Sequence, residues 1–242
     1  MAADPNDAAN YDDCGFDIFH GDTGFDFDTL GGAGGRKFCI LKVTEGLTVK
    51  DAAFAPRVAQ LMPTSIKRLG AYHFAHHTDP VGQMRFFIDT FKAGTQNIPN
   101  SPAFLFMLDL EVNPGEADPP TEADGLAMVQ ELQRQHINPI IYCGKDFWSQ
   151  KHPELESCPH LLAAYNDNPI SAIPFRVPGA DVYGWDIWQY TDGDPDPANG
   201  GPFTKLIPGS PNPMDLDCFN LKKHPQGLEA WWDDQLTKNR QP

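Results

Sequence analysis

Eight short apolar runs punctuate the chain, and most are continuous where a half-exposed strand would alternate. They are Phe16–Phe19, Phe38–Val43, Leu69–Phe74, Ala103–Leu110, Pro139–Cys143, Leu161–Tyr165, Trp185–Tyr190 and Met214–Phe219. Continuous runs of this length suit strands of a sheet covered on both faces. The segments between the early runs have helical spacing. Asp51–Arg68 carries Ala53, Phe54, Val58 and Leu61 on one face. Asp79-Pro80 places a cap before a proline in the first turn and opens a helix through Met84, Phe87, Ile88 and Phe91. Thr121-Glu122-Ala123-Asp124 has the form of a capping box, with Asp in the usual Glu place, ahead of Leu126, Val129 and Leu132. Strands alternating with such helices predict βαβ units and a parallel sheet.

The alternation degrades towards the C-terminus. Proline and glycine dominate 166–184 and 192–213, and neither Asp194-Pro195-Asp196-Pro197 nor Pro208–Pro213 can be a helix interior. The expectation is an α/β fold, an irregular TIM-like barrel with βα units first and loop-joined strands after. A last helix within 225–238 is expected to pack outside it. No repeat or linker divides the 242 residues, so 1–242 reads as a single domain with its core at about 14–222.

Charge narrows the function. The 18 Lys and Arg against 33 Asp and Glu leave −15. No cationic surface of that kind neutralises phosphates, which argues against nucleic acid and anionic membrane partners. No apolar run approaches the roughly 18 residues that a bilayer span needs. The N-terminal Met-Ala-Ala-Asp-Pro-Asn-Asp lacks a basic region and an apolar stretch, so no secretory signal is expected in it. Cys14, Cys39, Cys143, Cys158 and Cys218 are scattered and odd in number. They read mainly as buried thiols, with one bridge left open.

In a βα barrel, function collects at the C-terminal ends of the strands. The polar residues there are Asp17; Lys42, Thr44 and Glu45; Tyr72 and His73; Asp109 and Glu111; Tyr142; Tyr165; Trp188, Gln189 and Tyr190; and Asp215 with Asp217. In Met107-Leu108-Asp109-Leu110-Glu111 the two acids are two residues apart on a strand. They therefore share a side, with Cα atoms about 6.6 Å apart. Paired carboxylates are the equipment of glycosidic-bond cleavage. Apolar neighbours and mutual repulsion would raise one pKa and suit it to act as an acid. His73, His76 and His77 lack a third ligand at metal spacing, and Asp26 and Asp28 lack the rest of a calcium loop. No metal and no cofactor is expected. No GxSxG and no Cys/His arrangement at strand ends points to acyl transfer.

Taken in order, Gly15-Phe16-Asp17-Ile18, Lys42-Val43-Thr44-Glu45-Gly46, Gly70-Ala71-Tyr72-His73-Phe74, Asp109-Leu110-Glu111, Ile141-Tyr142, Ala164-Tyr165, Trp188-Gln189-Tyr190-Thr191 and Met214–Phe219 form a specific series. Over about residues 14 to 220 the chain resembles glycoside hydrolase family 25, the lysozymes of the Chalaropsis type. The resemblance implies a (β/α)5(β)3 barrel. It also implies a muramidase that cuts the β-1,4 bond between N-acetylmuramic acid and N-acetylglucosamine in bacterial peptidoglycan, with the glycan strand as partner. In the family the residue two after the first Asp is usually Ser, here Phe19, and the last motif usually carries Asn where this chain has Asp217. No wall-binding repeats follow the barrel.

By position, the resemblance makes Glu111 the proton donor. It leaves Asp109 either a nucleophile or the group that orients the substrate's 2-acetamido oxygen for attack, and the second, retaining route is the one preferred. Asp17 and Asp215 would hold the site's hydrogen bonds or stabilise positive charge. Tyr72, His73, Tyr142, Tyr165, Trp188, Gln189, Tyr190 and Glu45 are the candidate substrate contacts, with some of the aromatics alternatively core and Glu45 alternatively a partner of Lys42. A monomer is expected, working outside the cell or released to the wall by a phage. A non-catalytic peptidoglycan-binding barrel, or a related barrel glycosidase on another glycan, is the alternative.

Overall fold

Strands β1 (Tyr11–Ile18), β2 (Phe38–Glu45), β3 (Val49–Lys50), β4 (Arg68–Phe74), β5 (Phe104–Leu110), β6 (Ile140–Gly144), β7 (His160–Ala163), β8 (Ile187–Asp192) and β9 (Asp215–Asn220) form one sheet. It runs β1-β9-β8-β7-β6-β5-β4-β2-β3, and a parallel β1–β2 pairing that sets Gly15 opposite Phe38 closes it into an eight-stranded barrel. These positions come from a computed structural model, which describes residues 6–112, 117–165, 183–193 and 206–239. All eight apolar runs of the sequence fall on barrel strands. The two-residue β3 merely extends β2 as an antiparallel hairpin outside the ring. β9 is antiparallel to both of its neighbours, β8 and β1, and every other barrel pairing is parallel.

Helices α1 (Phe27–Gly31), α2 (Phe54–Leu61), α3 (Pro80–Thr95) and α4 (Glu122–Arg134) follow β1, β3, β4 and β5. Asp79 caps α3 by accepting from the Gly82 amide at 3.0 Å. Thr121 and Asp124 complete the capping box of α4. Asp26 accepts from the Thr29 amide and hydroxyl, so it caps α1. α2 is shorter than the 51–68 segment whose spacing is helical. It ends at Leu61 with Met62 still in helical geometry, because Pro63 has no amide to donate back into the helix. The fifth connection, β6 to β7, holds only a single 3-10 turn at Pro153–Leu155. Pro153 and Pro159 leave no room in it for an α-helix. The later loops fall in part outside the described residues, Asp194–Pro197 among them, and Pro208–Pro213 is a turn at Pro208-Gly209 followed by a bend.

Two apolar layers hold the barrel. Outside the strands, Leu41, Val43, Ala71, Phe104, Phe106 and Leu108 pack against Val58, Phe87, Phe91, Val129 and Leu132 of the helices. Inside, Phe38, Ile40, Leu105, Met107, Ile140, Leu161, Ile187 and Phe219 fill the lumen. Gly15 faces this lumen, where a Cβ would collide with the Phe38 ring. The last helix, α5 (Leu228–Lys238), does not lie along the outer wall as expected. Its Trp231 and Trp232 are buried with the lumen residues, Trp232 lying 5.4 Å from the Phe38 ring and Trp231 5.2 Å from Phe219. The helix closes the barrel floor, the end at which β2 begins and β9 finishes. With the floor shut by tryptophan, the lumen opens only at the C-terminal ends of the parallel strands.

Candidate active site

A cleft of about 520 Å³ occupies that open end. Its lining alternates along the strands as the pleat demands. β1 contributes Asp17 and, just past its end, Phe19; β2 contributes Lys42; β4 contributes Tyr72 and Phe74. Met107, Asp109 and Glu111 come from β5 and its exit, Tyr142 from β6, Tyr165 from beyond β7, Gln189 and Asp192 from β8, and Asp215 from β9. Asp109 is 7% exposed and Glu111 half-buried one step nearer solvent. Both stand on the lumen side of β5, because Leu108 and Leu110 take the outer face.

One hydrogen-bonded chain crosses the cleft. The Tyr142 and Tyr165 hydroxyls donate to Gln189 Oε1 at 2.7 and 2.8 Å. Gln189 Nε2 in turn donates to Asp17 Oδ2 at 2.6 Å. Burial raises the Asp17 pKa to about 7, against the lowering effect of the Gln189 amide, and the Asp22 and Glu111 charges add to the rise. Asp215 hydrogen-bonds Asp17. Burial also drives its pKa well up, helped by the charges of Asp17, Asp22, Asp217 and Asp192. Two carboxyls in contact and out of water share a proton more cheaply than they carry two charges. Five carboxyl groups line the cleft against one cation, Lys42, among the described residues. Such a field favours a protonated acid and a positively charged sugar in transit.

Lys42 Nζ donates to Glu45 Oε2 at 2.6 Å, and His76 Nε2 lies 3.2 Å from Glu45 Oε1. Burial raises the Glu45 pKa, but the hydrogen bonds and charges of Lys42 and His76 together outweigh it and leave the net shift downward. Glu45 is thus the partner of Lys42, and it is not among the residues lining the cleft.

Three candidate contacts point away from the cleft. His73 is fully buried on the outer face of β4, with the Thr44 hydroxyl 2.8 Å from its Nδ1 and Gln83 Oε1 of α3 3.0 Å from its Nε2. The Gln83 oxygen can only accept, so Nε2 carries the hydrogen and Nδ1 accepts from Thr44. Burial lowers its pKa to about 4, so the imidazole is neutral. Trp188 donates from Nε1 to Ala164 O at 2.8 Å, and Tyr190 donates from its hydroxyl to Asp13 Oδ1 at 3.0 Å, both within the outer layer. The expectation that these three touch substrate is corrected by parity. On one strand Tyr72 and His73, or Trp188 and Gln189, cannot both face the lumen.

Phe19, Lys42, Phe74 and Asp192 line the cleft without having been singled out as substrate contacts, and the same parity rule, counted from Asp17 and Tyr72, would have found Phe19 and Phe74. The five cysteines are buried. Among the described residues no three His, Cys, Asp or Glu side chains converge as metal ligands, and no helix is long and apolar enough to cross a membrane.

A closed βα barrel with a carboxylate-lined cleft at the C-terminal ends of its strands is the framework of a barrel glycosidase. The match to known proteins makes the assignment particular: the sequence profile of Glycosyl hydrolases family 25 matches residues 16–198, and the chain belongs to that family. It is a glycoside hydrolase. Among solved structures it is similar to a family GH25 lysozyme from Aspergillus fumigatus, at 25% identity over 92% of this chain and 97% of that one, TM-score 0.61. It is also similar to the bacterial lysozyme of Streptomyces coelicolor (20%, 93% and 95%, TM-score 0.63) and to the catalytic domain of endolysin ply40 from a Listeria monocytogenes bacteriophage (17%, 92% and 96%, TM-score 0.63). Comparison with curated protein sequences gives no match.

Proposed function

We propose that this protein is a muramidase that hydrolyses the β-1,4 bond between N-acetylmuramic acid and N-acetylglucosamine in bacterial peptidoglycan, with retention at the anomeric carbon. The observation that carries the reading is the placement of Asp109 and Glu111 on one side of β5, in a cleft shared with the Asp17–Asp215 pair. Glu111, nearer solvent, protonates the departing glycosidic oxygen and afterwards takes a proton from the incoming water. Asp109, deeper and paired in register with Tyr142, accepts from the substrate's acetamido N–H. It turns the acetamido oxygen onto the anomeric carbon as the C–O bond breaks. Asp17 and Asp215 hold one proton between them, and their shared charge sustains the cationic centre. The wall reaches this cleft from outside the cell, or after lytic release.

The test is digestion of purified peptidoglycan by the wild type and by Glu111→Gln, with new ends reduced and read by mass spectrometry. Reduced N-acetylmuramic acid from the wild type, lowered at least a thousandfold in the variant, is expected. Co-sedimentation with the wall without any new reducing end would replace the enzyme by a binding barrel. Chemically de-N-acetylated glycan separates the two routes. Acetamido participation predicts that it resists cleavage, whereas a nucleophilic Asp109 predicts that it is cut.

A further inference from the structure

We propose that Phe19 is a saccharide-stacking platform that prolongs the glycan-binding cleft along its β1 side and sets the protein's hold on the polymer. The proposal rests on the glycan-cleaving reading above and adds a contact to it.

Phe19 is 39% exposed, yet it belongs to the lining of the same cleft as Asp17 and Asp215. It stands two residues beyond Asp17, on the same side. The turn that presents it is pinned. The Phe19 amide donates to Asp22 Oδ2 at 2.8 Å and the Asp22 amide returns to Phe19 O at 2.9 Å. Arg57, itself buried, donates to the Asp22 carbonyl, and the His20 amide donates to Asp51 Oδ2 at 2.7 Å. The ring folds back over Gly21, where any Cβ would lie 2.5 Å from it. The pinned turn and the packing over Gly21 hold the ring in place at the cleft, with its exposed part open to a ligand.

The surroundings specify what arrives. The Lys42 ammonium lies 5.8 Å from the centre of the Phe19 ring and 4.8 Å from that of Phe74. It is neutralised by Glu45 at 2.6 Å. The β1–β2–β4 wall is thus aromatic above Asp17, with its one cation paired. The facing β6–β8 wall presents the Tyr142 and Tyr165 hydroxyls, the Gln189 amide and the Asp192 carboxyl. A pyranose has that same division, with C–H groups on its faces and hydroxyl and amide groups at its edge. An anionic or purely apolar ligand fits one wall only. The other exposed large apolar side chains among the described residues, Leu47, Val49, Val112 and Leu206, also lie on segments that leave the mouth end of the strands.

The experiment compares wild type, Phe19→Ala and Phe19→Trp. Purified peptidoglycan gives kcat and KM, and calorimetry with the N-acetylglucosamine pentamer gives affinity. Loss of one stacking ring is expected to raise KM and weaken pentamer binding about fivefold or more in Phe19→Ala, with kcat within twofold. Phe19→Trp is expected to restore both, and its added indole emission to shift when the pentamer binds. A KM and affinity within twofold of wild type in Phe19→Ala overturn the platform while leaving the glycosidase intact, as does a Phe19→Trp indole blind to bound pentamer. A wild type that releases no reducing ends overturns the glycosidase. Weakened pentamer binding in Phe19→Ala would then still uphold the platform.

Discussion

Replacing Asp217 by asparagine is expected to stabilise the barrel increasingly as pH rises. Asp217 points into the lumen two residues below Asp215, is 0% exposed, and has no hydrogen-bond partner for either carboxyl oxygen among the described residues. Burial drives its pKa well up. The Asp17 charge pushes the same way, Arg36 opposes, and Asp13 adds to the rise. The folded protein therefore keeps a proton that the unfolded chain gives up near pH 3.9. A folded pKa above the unfolded one means that the full stability is present below the unfolded value and drains as pH climbs towards the folded one. The slope for one group is about 1.4 kcal/mol per pH unit between its unfolded and folded pKa values. Asparagine has nearly the same shape and does not titrate. The unfolding free energy of Asp217→Asn minus that of wild type should therefore climb with about that slope as pH rises above the unfolded pKa. Each kcal/mol corresponds to roughly 2–4 °C in Tm for a chain of this size. Urea and thermal unfolding followed by circular dichroism at pH 4.5, 5.5 and 6.5 measure it. Asp17 and Asp215 contribute slopes of the same sign to both proteins, and because both interact with Asp217 the difference reads position 217 together with that interaction. A difference that stays flat with pH would refute the reasoning, whichever protein is the more stable.

Two further outcomes follow from the cleft and its outer wall. Gln189→Ala removes the amide that stabilises ionised Asp17, so the part of the kcat/KM–pH profile governed by Asp17 should move about one to two pH units to higher pH. A profile superimposed on that of the wild type would show that Gln189 does not tune Asp17. His73→Ala strands the Thr44 hydroxyl and the Gln83 amide in the outer layer and should cost about 2–4 kcal/mol, with kcat within about twofold. A loss of kcat at unchanged Tm would put His73 back in the cleft.

What the sequence determined by itself is the architecture and its order. Short continuous apolar runs between turn signals suit strands covered on both faces. The capped helices at Asp79 and Thr121 make the crossovers between them parallel, and Asp109 with Glu111 must share a side because a strand repeats every two residues. The same period also held the answer for His73, Trp188 and Tyr190, whose neighbours Tyr72 and Gln189 take the lumen. The tertiary structure decided the rest, because those features depend on residues far apart in the chain. Only closure brings Gln189 within 2.6 Å of Asp17, 172 positions away, and seats α5 under the floor through Trp232 and Phe38. Only the shared lumen makes Asp17, Asp215 and Asp217 feel one another as charges. A carboxyl's pKa is set by the water it loses and the neighbours it gains, and neither is written in the residues beside it.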